Sequence, residues 1–116
     1  MALLAGFDIG TTGVKAIAVT EEGSVVHESF SGCAISSPHP NWAEQHPEDW
    51  WLAFCQAARK LCNAGLKPGE ITAVGLSGQM HSSVFLDDSM KVIRPAILWC
   101  DTRTTPECRE ITERVG

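Results

Sequence analysis

Three predicted strands near the start of the chain are joined by links that are too short for anything but hairpins. Residues 3–9 are apolar and end at a glycine, residues 14–20 follow a Gly-Thr-Thr-Gly turn, and residues 24–30 follow a Glu-Glu-Gly turn. A parallel connection needs a dozen or more residues. The sequence therefore predicts a fold that begins with three antiparallel strands.

A polar stretch and a helix carry the chain to its next strand. Residues 36–46 are polar and proline-rich, which is typical of a loop. A helix is predicted over residues 47–64, with proline at its first position, acids in its first turn and Gly65 as its C-cap. The apolar run at 71–76 predicts a buried strand. The expected apolar stripe of the helix consists of Trp51, Phe54, Cys55, Ala58, Leu61 and Cys62.

The remaining sequence predicts a further hairpin or strand pair, and a second helix. Residues 83–86 and 92–98 flank a polar turn, and a polar helix is expected over residues 105–115. Three antiparallel strands, a helical crossover and a parallel strand form the first part of a ribonuclease-H-like α/β layer with a mixed sheet. Helices cover both faces of such a sheet, and those for the second face are mostly missing here. We therefore interpret residues 1–116 as the incomplete N-terminal part of a larger protein.

Composition and charge disfavour several classes of protein. No apolar run approaches the roughly 20 residues of a membrane-spanning helix, and the first residues lack the pattern of a signal peptide. A net charge of −5 disfavours a nucleic-acid partner. The odd number of cysteines disfavours a disulfide framework, and their spacing, with no C-x-x-C pair, disfavours a zinc site. We expect reduced thiols and a cytoplasmic protein with no nucleic-acid or membrane partner.

The turn between the first two strands carries the first candidate site. Gly10 lets the backbone approach a ligand, and exposed turn N–H groups form a nest for an anion. Thr11 and Thr12 add hydroxyl donors. Asp8 is suited to hold Mg²⁺ through water, and Lys15 either reaches a phosphate or faces solvent. The spacing differs from the Walker A and G-x-G-x-x-G patterns, so a phosphate site and an ordinary glycine-rich turn both stay open.

The second candidate site directly follows the predicted strand at 71–76. Ligands of open α/β sheets bind beyond the carboxyl ends of the strands. Gln79, His81 and Ser82 offer donors and acceptors suited to a polyol, and Met80 offers an adaptable apolar wall. The alternative is a structural histidine beside a core methionine.

The third candidate site follows the strand predicted to end at residue 98. Trp99, Asp101 and Arg103 together are able to line a polar pocket. The alternative is an Asp101–Arg103 surface ion pair worth less than about 1 kcal/mol. All three candidate sites lie at or just after predicted strand ends, so we expect them to converge on one cleft.

Together these motifs resemble the N-terminal part of the FGGY family of carbohydrate kinases, over essentially the whole chain. Residues 8–12 resemble the first phosphate motif of the actin/hexokinase/Hsp70 superfamily, to which that family belongs. Residues 77–81 resemble the sugar-site motif of the xylulokinase branch, and residues 40–45 and 95–103 look like further signatures of that branch. The glycerol kinase branch carries Arg and Glu where the second motif of this chain has Met and His, which disfavours glycerol.

The resemblance implies the fold, the reaction and the roles of the site residues. The fold would be the actin/hexokinase-type ATPase fold. The reaction would be ATP-dependent phosphorylation of a ketopentose, most directly D-xylulose to D-xylulose 5-phosphate, with the general base and the adenosine site outside this chain. The implied roles are Mg²⁺ organisation by Asp8, phosphate binding by Gly10, Thr11, Thr12 and Lys15, and sugar binding by Gln79, Met80 and His81, with Asp101 and Arg103 in support.

Other functions stay open at the level of sequence. A related sugar such as ribulose or sedoheptulose fits the same motifs, and a non-catalytic actin-fold binding module is a second alternative. A small ribonuclease-H-type nuclease is disfavoured because that chemistry needs several clustered carboxylates, whereas Asp8 is the only acid at an early strand end. The resemblance allows a homodimer, but the sequence does not decide the oligomeric state.

Overall fold

A computed structural model describes residues 2–116, which divide into two units. The first unit combines the chain up to Ala34 with Pro47–Met80, and the second combines Ile35–His46 with His81–Gly116. In chain order the elements are β1 (Leu3–Ile9), β2 (Gly13–Thr20), β3 (Val25–Gly32), β4 (Glu44–Gln45), α1 (Pro47–Asn63), β5 (Ile71–Gly78), β6 (Ala96–Ile97) and α2 (Thr105–Val115), with a short 3-10 turn at Pro68–Glu70.

A four-stranded mixed sheet forms the centre of the first unit. Its strand order is β3-β2-β1-β5, in which β1 and β3 are antiparallel to β2 and β5 is parallel to β1. In the first turn the Gly10 N–H donates to the Gly13 carbonyl at 2.9 Å. In the second turn the Gly23 N–H donates to the Thr20 carbonyl at 3.0 Å. Both predicted hairpins and the parallel crossover strand are therefore confirmed.

Small side chains set the packing of α1 on this sheet. The helix buries Ala53, Ala57 and Leu61, which follow one another at intervals of one turn. The facing strands contribute further buried alanines, so the helix backbone is able to approach the sheet closely. The predicted stripe is wrong at its edges, because Trp51 and Cys62 are exposed. Larger side chains fit only at the flanks of this close contact, where Phe54, Cys55 and Ala58 are half-buried.

The end of α1 is a Schellman motif, which confirms the predicted C-cap. Gly65 has a φ of 116° and donates its N–H to the Cys62 carbonyl at 3.1 Å. The Leu66 N–H donates to the Leu61 carbonyl at 3.1 Å, and both leucines belong to the buried core of this unit. This pattern satisfies carbonyls that would otherwise lack a partner at the helix end.

The strand β5 forms one edge of the sheet and is exposed. The expectation of a buried strand is wrong for this chain, since Val74 is 56% and Leu76 is 68% exposed. Within residues 2–116, β5 pairs on one side alone, with β1. The helix α1 packs mainly on β2 and β3, so it leaves β5 largely uncovered. The apolar sequence of β5 correctly predicted a strand, but the predicted burial of that strand was wrong.

A short antiparallel ladder organises the second unit. Glu44 of β4 lies opposite Ile97 of β6, and Gln45 lies opposite Ala96. The prediction of an uninterrupted loop over residues 36–46 is therefore wrong at these two positions. Their partners lie far along the chain, and a two-residue strand has no periodicity of its own to reveal it.

The predicted hairpin and second helix are both present in this unit. Leu86 and Val92 form an antiparallel bridge around the polar turn, where the Asp87 N–H donates to the Lys91 carbonyl at 2.8 Å. Regular strand structure in the second arm is limited to Ala96–Ile97. The helix α2 has the expected bounds. Neither α1 nor α2 is long and apolar enough to cross a membrane.

Candidate functional site

The β1–β2 turn has a conformation that requires glycine where it enters β2. A Cβ atom at Gly13 would lie 2.3 Å from the carbonyl oxygen of Ser31 and 2.6 Å from the ring of Phe30. The Cys33 N–H donates to the Thr12 carbonyl at 2.9 Å, which ties the turn to the chain that leaves β3. The turn is thus stabilised by its internal Gly10–Gly13 hydrogen bond and by a hydrogen bond from the chain that follows β3.

Asp8 and Lys15 lie on one face of the sheet, beside this turn. They are cross-strand partners in β1 and β2, and Ser77 of β5 is the parallel neighbour of Asp8. Because side chains alternate along a strand, this face is the one opposite α1, which packs on Phe7 and Ala16. Asp8, Lys15 and Ser77 line an open groove of about 520 Å³. The side chains of Asp8 and Lys15 are exposed and accessible to a ligand.

The donor set around Asp8 fits a loosely held Mg²⁺ rather than a metal cage. Residues 2–116 contain no group of three or more His, Cys, Asp or Glu side chains that could hold a metal ion. Mg²⁺ dehydrates reluctantly and usually binds through one or two carboxylates, waters and the phosphates of its substrate. A single exposed carboxylate beside a glycine-rich turn matches that mode of binding.

The first and second sequence motifs are in direct contact within the first unit. The Thr11 hydroxyl donates to the side-chain carbonyl oxygen of Gln79 at 3.1 Å. The Gln79 N–H donates to the Ile9 carbonyl at 2.9 Å. A Cβ atom at Gly78 would lie 3.2 Å from that same carbonyl oxygen, so the two backbones approach closely. The predicted phosphate turn and the start of the predicted sugar segment therefore form one structure.

Within this structure the turn residues have different hydrogen-bonding roles. The Gly10 N–H is used inside the turn, so Gly10 contributes its missing side chain rather than a donor for a ligand. The Thr11 hydroxyl hydrogen is directed to Gln79. Thr12 is exposed at the tip of the turn.

A separate cavity of about 340 Å³ lies in the second unit. His81, Phe85, Trp99 and Asp101 are among its lining residues. His81 has a φ of 56°, a conformation that residues other than glycine adopt uncommonly. Met80 is the last residue of the first unit and is 68% exposed. The structure thus brings His81 and Asp101 to one cavity, while convergence of all three motifs on a single cleft stays a prediction.

Asp101 and Arg103 form a buried pair rather than the surface pair that was one reading of the sequence. The Asp101 side chain is 1% exposed and the Arg103 side chain is 13% exposed. Arg103 Nη2 donates to Asp101 Oδ2 at 2.7 Å, and Arg103 Nε donates to both carboxylate oxygens at 3.0 Å. The Ala43 N–H adds a bond to Oδ2 at 2.7 Å. Internal donors thus surround the Asp101 carboxylate.

These hydrogen bonds shift the protonation equilibria of both partners. The hydrogen bonds from the Arg103 side chain hold the pKa of Asp101 well below its usual range, against the opposing effect of burial. Backbone N–H groups of Arg103 and Ala43 act in the same direction. The hydrogen bond to Asp101 in turn raises the pKa of Arg103, and a second one to Glu44 adds to that rise. Both groups are therefore charged throughout the physiological pH range.

Sequence reasoning assigned no role to Glu44 and Trp42, although both belong to this cluster. Arg103 Nη2 also donates to Glu44 Oε2 at 2.9 Å, and its guanidinium lies 3.6 Å from the centre of the Trp42 ring. The sequence signal was the resemblance of residues 40–45, which include both side chains, to a signature of the xylulokinase branch. That signal does not identify an arginine partner so far along the chain.

Similarity to known proteins identifies the family of this chain. A family model described as the FGGY family of carbohydrate kinases, N-terminal domain, matches residues 3–116. The chain belongs to this family. The predicted resemblance to FGGY kinases is therefore confirmed, and so is the α/β fold that the resemblance implied.

Among curated FGGY relatives, a xylulose kinase of Klebsiella pneumoniae is 44% identical over 111 residues, which is 96% of this chain and 23% of that protein. A xylulose kinase of Escherichia coli is 43% identical over 95% of this chain and 22% of that protein. A crystal structure described as that of a xyloylose kinase from Brucella ovis superposes with a TM-score of 0.89 at 41% identity, over 97% of this chain and 24% of the other. The chain thus spans less than a quarter of the length of these relatives.

Proposed function

We propose that the chain is the N-terminal part of an FGGY kinase that transfers a phosphoryl group from ATP to a ketopentose, with D-xylulose as the preferred acceptor. Relatives at 44% and 43% identity are named xylulose kinases, which supports this choice of sugar. The observation that carries the proposal is the hydrogen bond from Thr11 to Gln79. It joins the turn suited to phosphate with the segment suited to sugar, as a phosphoryl transferase requires.

On the phosphate side, each residue around the β1–β2 turn has a different proposed role. Bound Mg²⁺ would neutralise charge on the phosphates, and Asp8 would hold it through water. Lys15 adds a positive charge on the same face of the sheet. The bare backbone of Gly10 allows close approach of a phosphate, and Thr12 offers an exposed hydroxyl donor. Thr11 acts mainly through Gln79, which fixes the shape of the turn.

On the sugar side, the proposed contacts are polar and neutral. The His81 imidazole is able to hydrogen-bond a sugar hydroxyl, and Gln79 and Met80 lie directly before it in the chain. Asp101 and Arg103 satisfy each other, so their supporting role is to hold the wall of the cavity in place. The general base and the adenosine site are assigned to the part of the kinase that follows this chain.

The proposal extends to the cellular setting and to assembly. All five cysteines are free thiols, which supports a reducing, cytoplasmic location. ATP and the sugar are the expected small-molecule partners, and a homodimer is the assembly to test by sedimentation of the complete protein.

The experiment is a steady-state assay of the complete gene product with ATP and Mg²⁺, following ADP. D-xylulose, D-ribulose, sedoheptulose and glycerol serve as acceptors. We expect sustained ADP formation with D-xylulose at the highest kcat/KM. A higher value with another ketose would overturn the choice of sugar, and no acceptor-dependent ADP formation would favour a non-catalytic binding module.

A pair of variants in the same assay tests the role of Asp8. Asp8→Asn should lower kcat far more than it raises the KM of the sugar, because the carboxylate is assigned to Mg²⁺ and phosphate. The matched control is Glu28→Gln, since Glu28 is an exposed carboxylate that lines the same groove. A loss confined to the KM of the sugar would contradict the assignment.

A further inference from the structure

A buried carboxylate in the second unit has both of its cationic partners on one later segment of the chain. Glu44 is 8% exposed and lies between Ala43 and Gln45, which are also buried. Its Oε2 atom accepts hydrogen bonds from Arg103 Nη2 at 2.9 Å and from Arg94 Nη2 at 2.5 Å. Burying a carboxylate is costly unless it is paired and hydrogen-bonded. Arg94 and Arg103 together supply the pairing that offsets this cost.

Arg103 links Glu44 to the segment that carries Asp101. The same Nη2 atom that reaches Glu44 also donates to Asp101 Oδ2 at 2.7 Å. The flat guanidinium of Arg103 stacks over the Trp42 ring at 3.6 Å, which fixes the plane of the guanidinium group. A lysine would retain the charge but would not reproduce this geometry.

Backbone hydrogen bonds repeat the connection along the segment. The Leu98 N–H donates to the Ala43 carbonyl at 3.0 Å, and the Thr102 N–H donates to the Asn41 carbonyl at 3.0 Å. The chain from residue 98 to residue 103 is thus tied at both ends to residues 41–44. Trp99 lies between the two ties, where its backbone position is determined by them.

This tied segment supplies most of the cavity described above. The segment contributes Leu98, Trp99 and Asp101 to the lining, and its chain neighbours Ile97 and Thr104 also line the cavity. His81, another lining residue, lies on a different stretch of chain. Glu44 and Arg103 are not among the lining residues of this cavity in residues 2–116. Any effect they have on a bound ligand must therefore pass through the segment.

We propose that Glu44 is a positioning residue for the sugar cavity and acts through Arg103 to set the placement of residues 99–104. This inference rests on the proposed function, in which the cavity belongs to the sugar site. Removing the charge at position 44 frees Arg103 to move with the segment, so the cavity loses its preformed shape. Sugar binding weakens as a result, while ATP binding at the β1–β2 turn is unaffected.

The kinetic test compares three variants of the complete gene product. Glu44→Gln and Arg103→Lys should each raise the KM of the sugar about tenfold or more, as expected for loss of a charged hydrogen bond, with the KM of ATP unchanged. The matched control is Arg94→Gln, which removes the other cation from the same oxygen at a 40% exposed side chain. Equal rises in both KM values, or a control that behaves like Glu44→Gln, would overturn the proposal.

A second measurement does not depend on kinase activity. Amide hydrogen exchange should be about tenfold faster at Asp101 and Thr102 in Glu44→Gln than in Arg94→Gln, because a weakened tie opens the segment more often. Unchanged exchange at these amides would overturn the positioning role. A protein without sugar kinase activity that still shows the faster exchange would refute the proposed function and leave the role of Glu44 in ordering the segment intact.

Discussion

Gly13 shows how a single missing side chain fixes the corner between β1 and β2. A Cβ atom there would meet the Ser31 carbonyl at 2.3 Å, and backbone atoms cannot rotate out of the way. Gly13→Ala should lower the free energy of unfolding by about 1–3 kcal/mol or more, as overpacking does. Urea unfolding measures this change.

The matched control for that change is Gly69→Ala. Gly69 has open space around its ideal Cβ position, so this variant should unfold like the parent protein. If Gly13→Ala and Gly69→Ala have the same urea midpoint of unfolding, the β1–β2 turn accommodates a Cβ atom at position 13, which would contradict the prediction.

Asp101 should make stability depend on acid pH. Its pKa is depressed in the folded state by the hydrogen bonds from Arg103, whereas an unfolded Asp titrates near 3.9. The stabilisation is therefore complete above about pH 5 and is lost as pH falls through 4 and below. Asp101→Asn should cost about 1.5–3 kcal/mol at pH 7, and the difference from the parent should shrink by pH 3.

The measurement is urea unfolding at pH 7, 4 and 3, with Asp88→Asn as the control. Asp88 is an exposed carboxylate in the turn of the second unit, so its variant should follow the parent at every pH. A constant difference between Asp101→Asn and the parent across this range would mean that the pKa of Asp101 is not lower in the folded than in the unfolded protein.

Among the elements, α1 depends on alanine for its contact with the sheet. Ala57 is completely buried at the centre of that contact. Ala57→Leu should destabilise the protein by about 1–3 kcal/mol, because added methylenes push the helix away from β2 and β3. Ala64→Leu places the same side chain at an exposed position just beyond the helix and serves as the control. Equal stability of the two variants would contradict the close packing.

Local signals predicted the bounds of the main elements well, because caps and short turns act within a few residues. Pro47 and Gly65 mark α1 to within two residues, and the Gly-Thr-Thr-Gly turn marks the β1–β2 hairpin. Features that depend on distant partners were missed. The β4–β6 ladder pairs Glu44 with Ile97, and no pattern near either residue indicates the other. The burial of β5 was overestimated because its hydrophobicity says nothing about which neighbour covers it.

In the candidate site, too, local motifs identified some residues, whereas features that depend on distant partners were missed. Thr11 and Gln79 were identified from their own motifs, and the β1–β5 pairing brings them together. The Asp101–Arg103 pair was identified, but its burial depends on Trp42 and Glu44, which lie on a stretch of chain interpreted as a loop. The sequence therefore identified most of the residues that the structure brings together in the candidate site, but not the residues that hold them in place.

For the whole molecule, the isolated 116-residue chain should show no sugar kinase activity. Under the proposed function it supplies one phosphate turn and one wall of a sugar cavity, whereas the base and the adenosine site are assigned elsewhere. Phosphoryl transfer depends on holding both substrates in line, an effect worth up to about 7–11 kcal/mol. The measurement is ADP formation by the purified chain with ATP, Mg²⁺ and D-xylulose, beside the complete gene product. Sustained sugar-dependent turnover by the chain alone would contradict this division of the site.

The interleaving of the two units along the chain bears on the order in which they are made. All residues of the first unit have been synthesised once residue 80 is made. The part of this unit that carries α1 and β5 lies in the chain between the two parts of the second unit. Glu44, in contrast, is made early and meets Arg103 only after the rest of the first unit has followed. At a synthesis rate of about 5–20 residues per second, the stretch from residue 80 to Arg103 takes about 1–5 s. Throughout that interval Glu44 lacks Arg103, so its buried pairing is completed only after every strand of the four-stranded sheet has been synthesised.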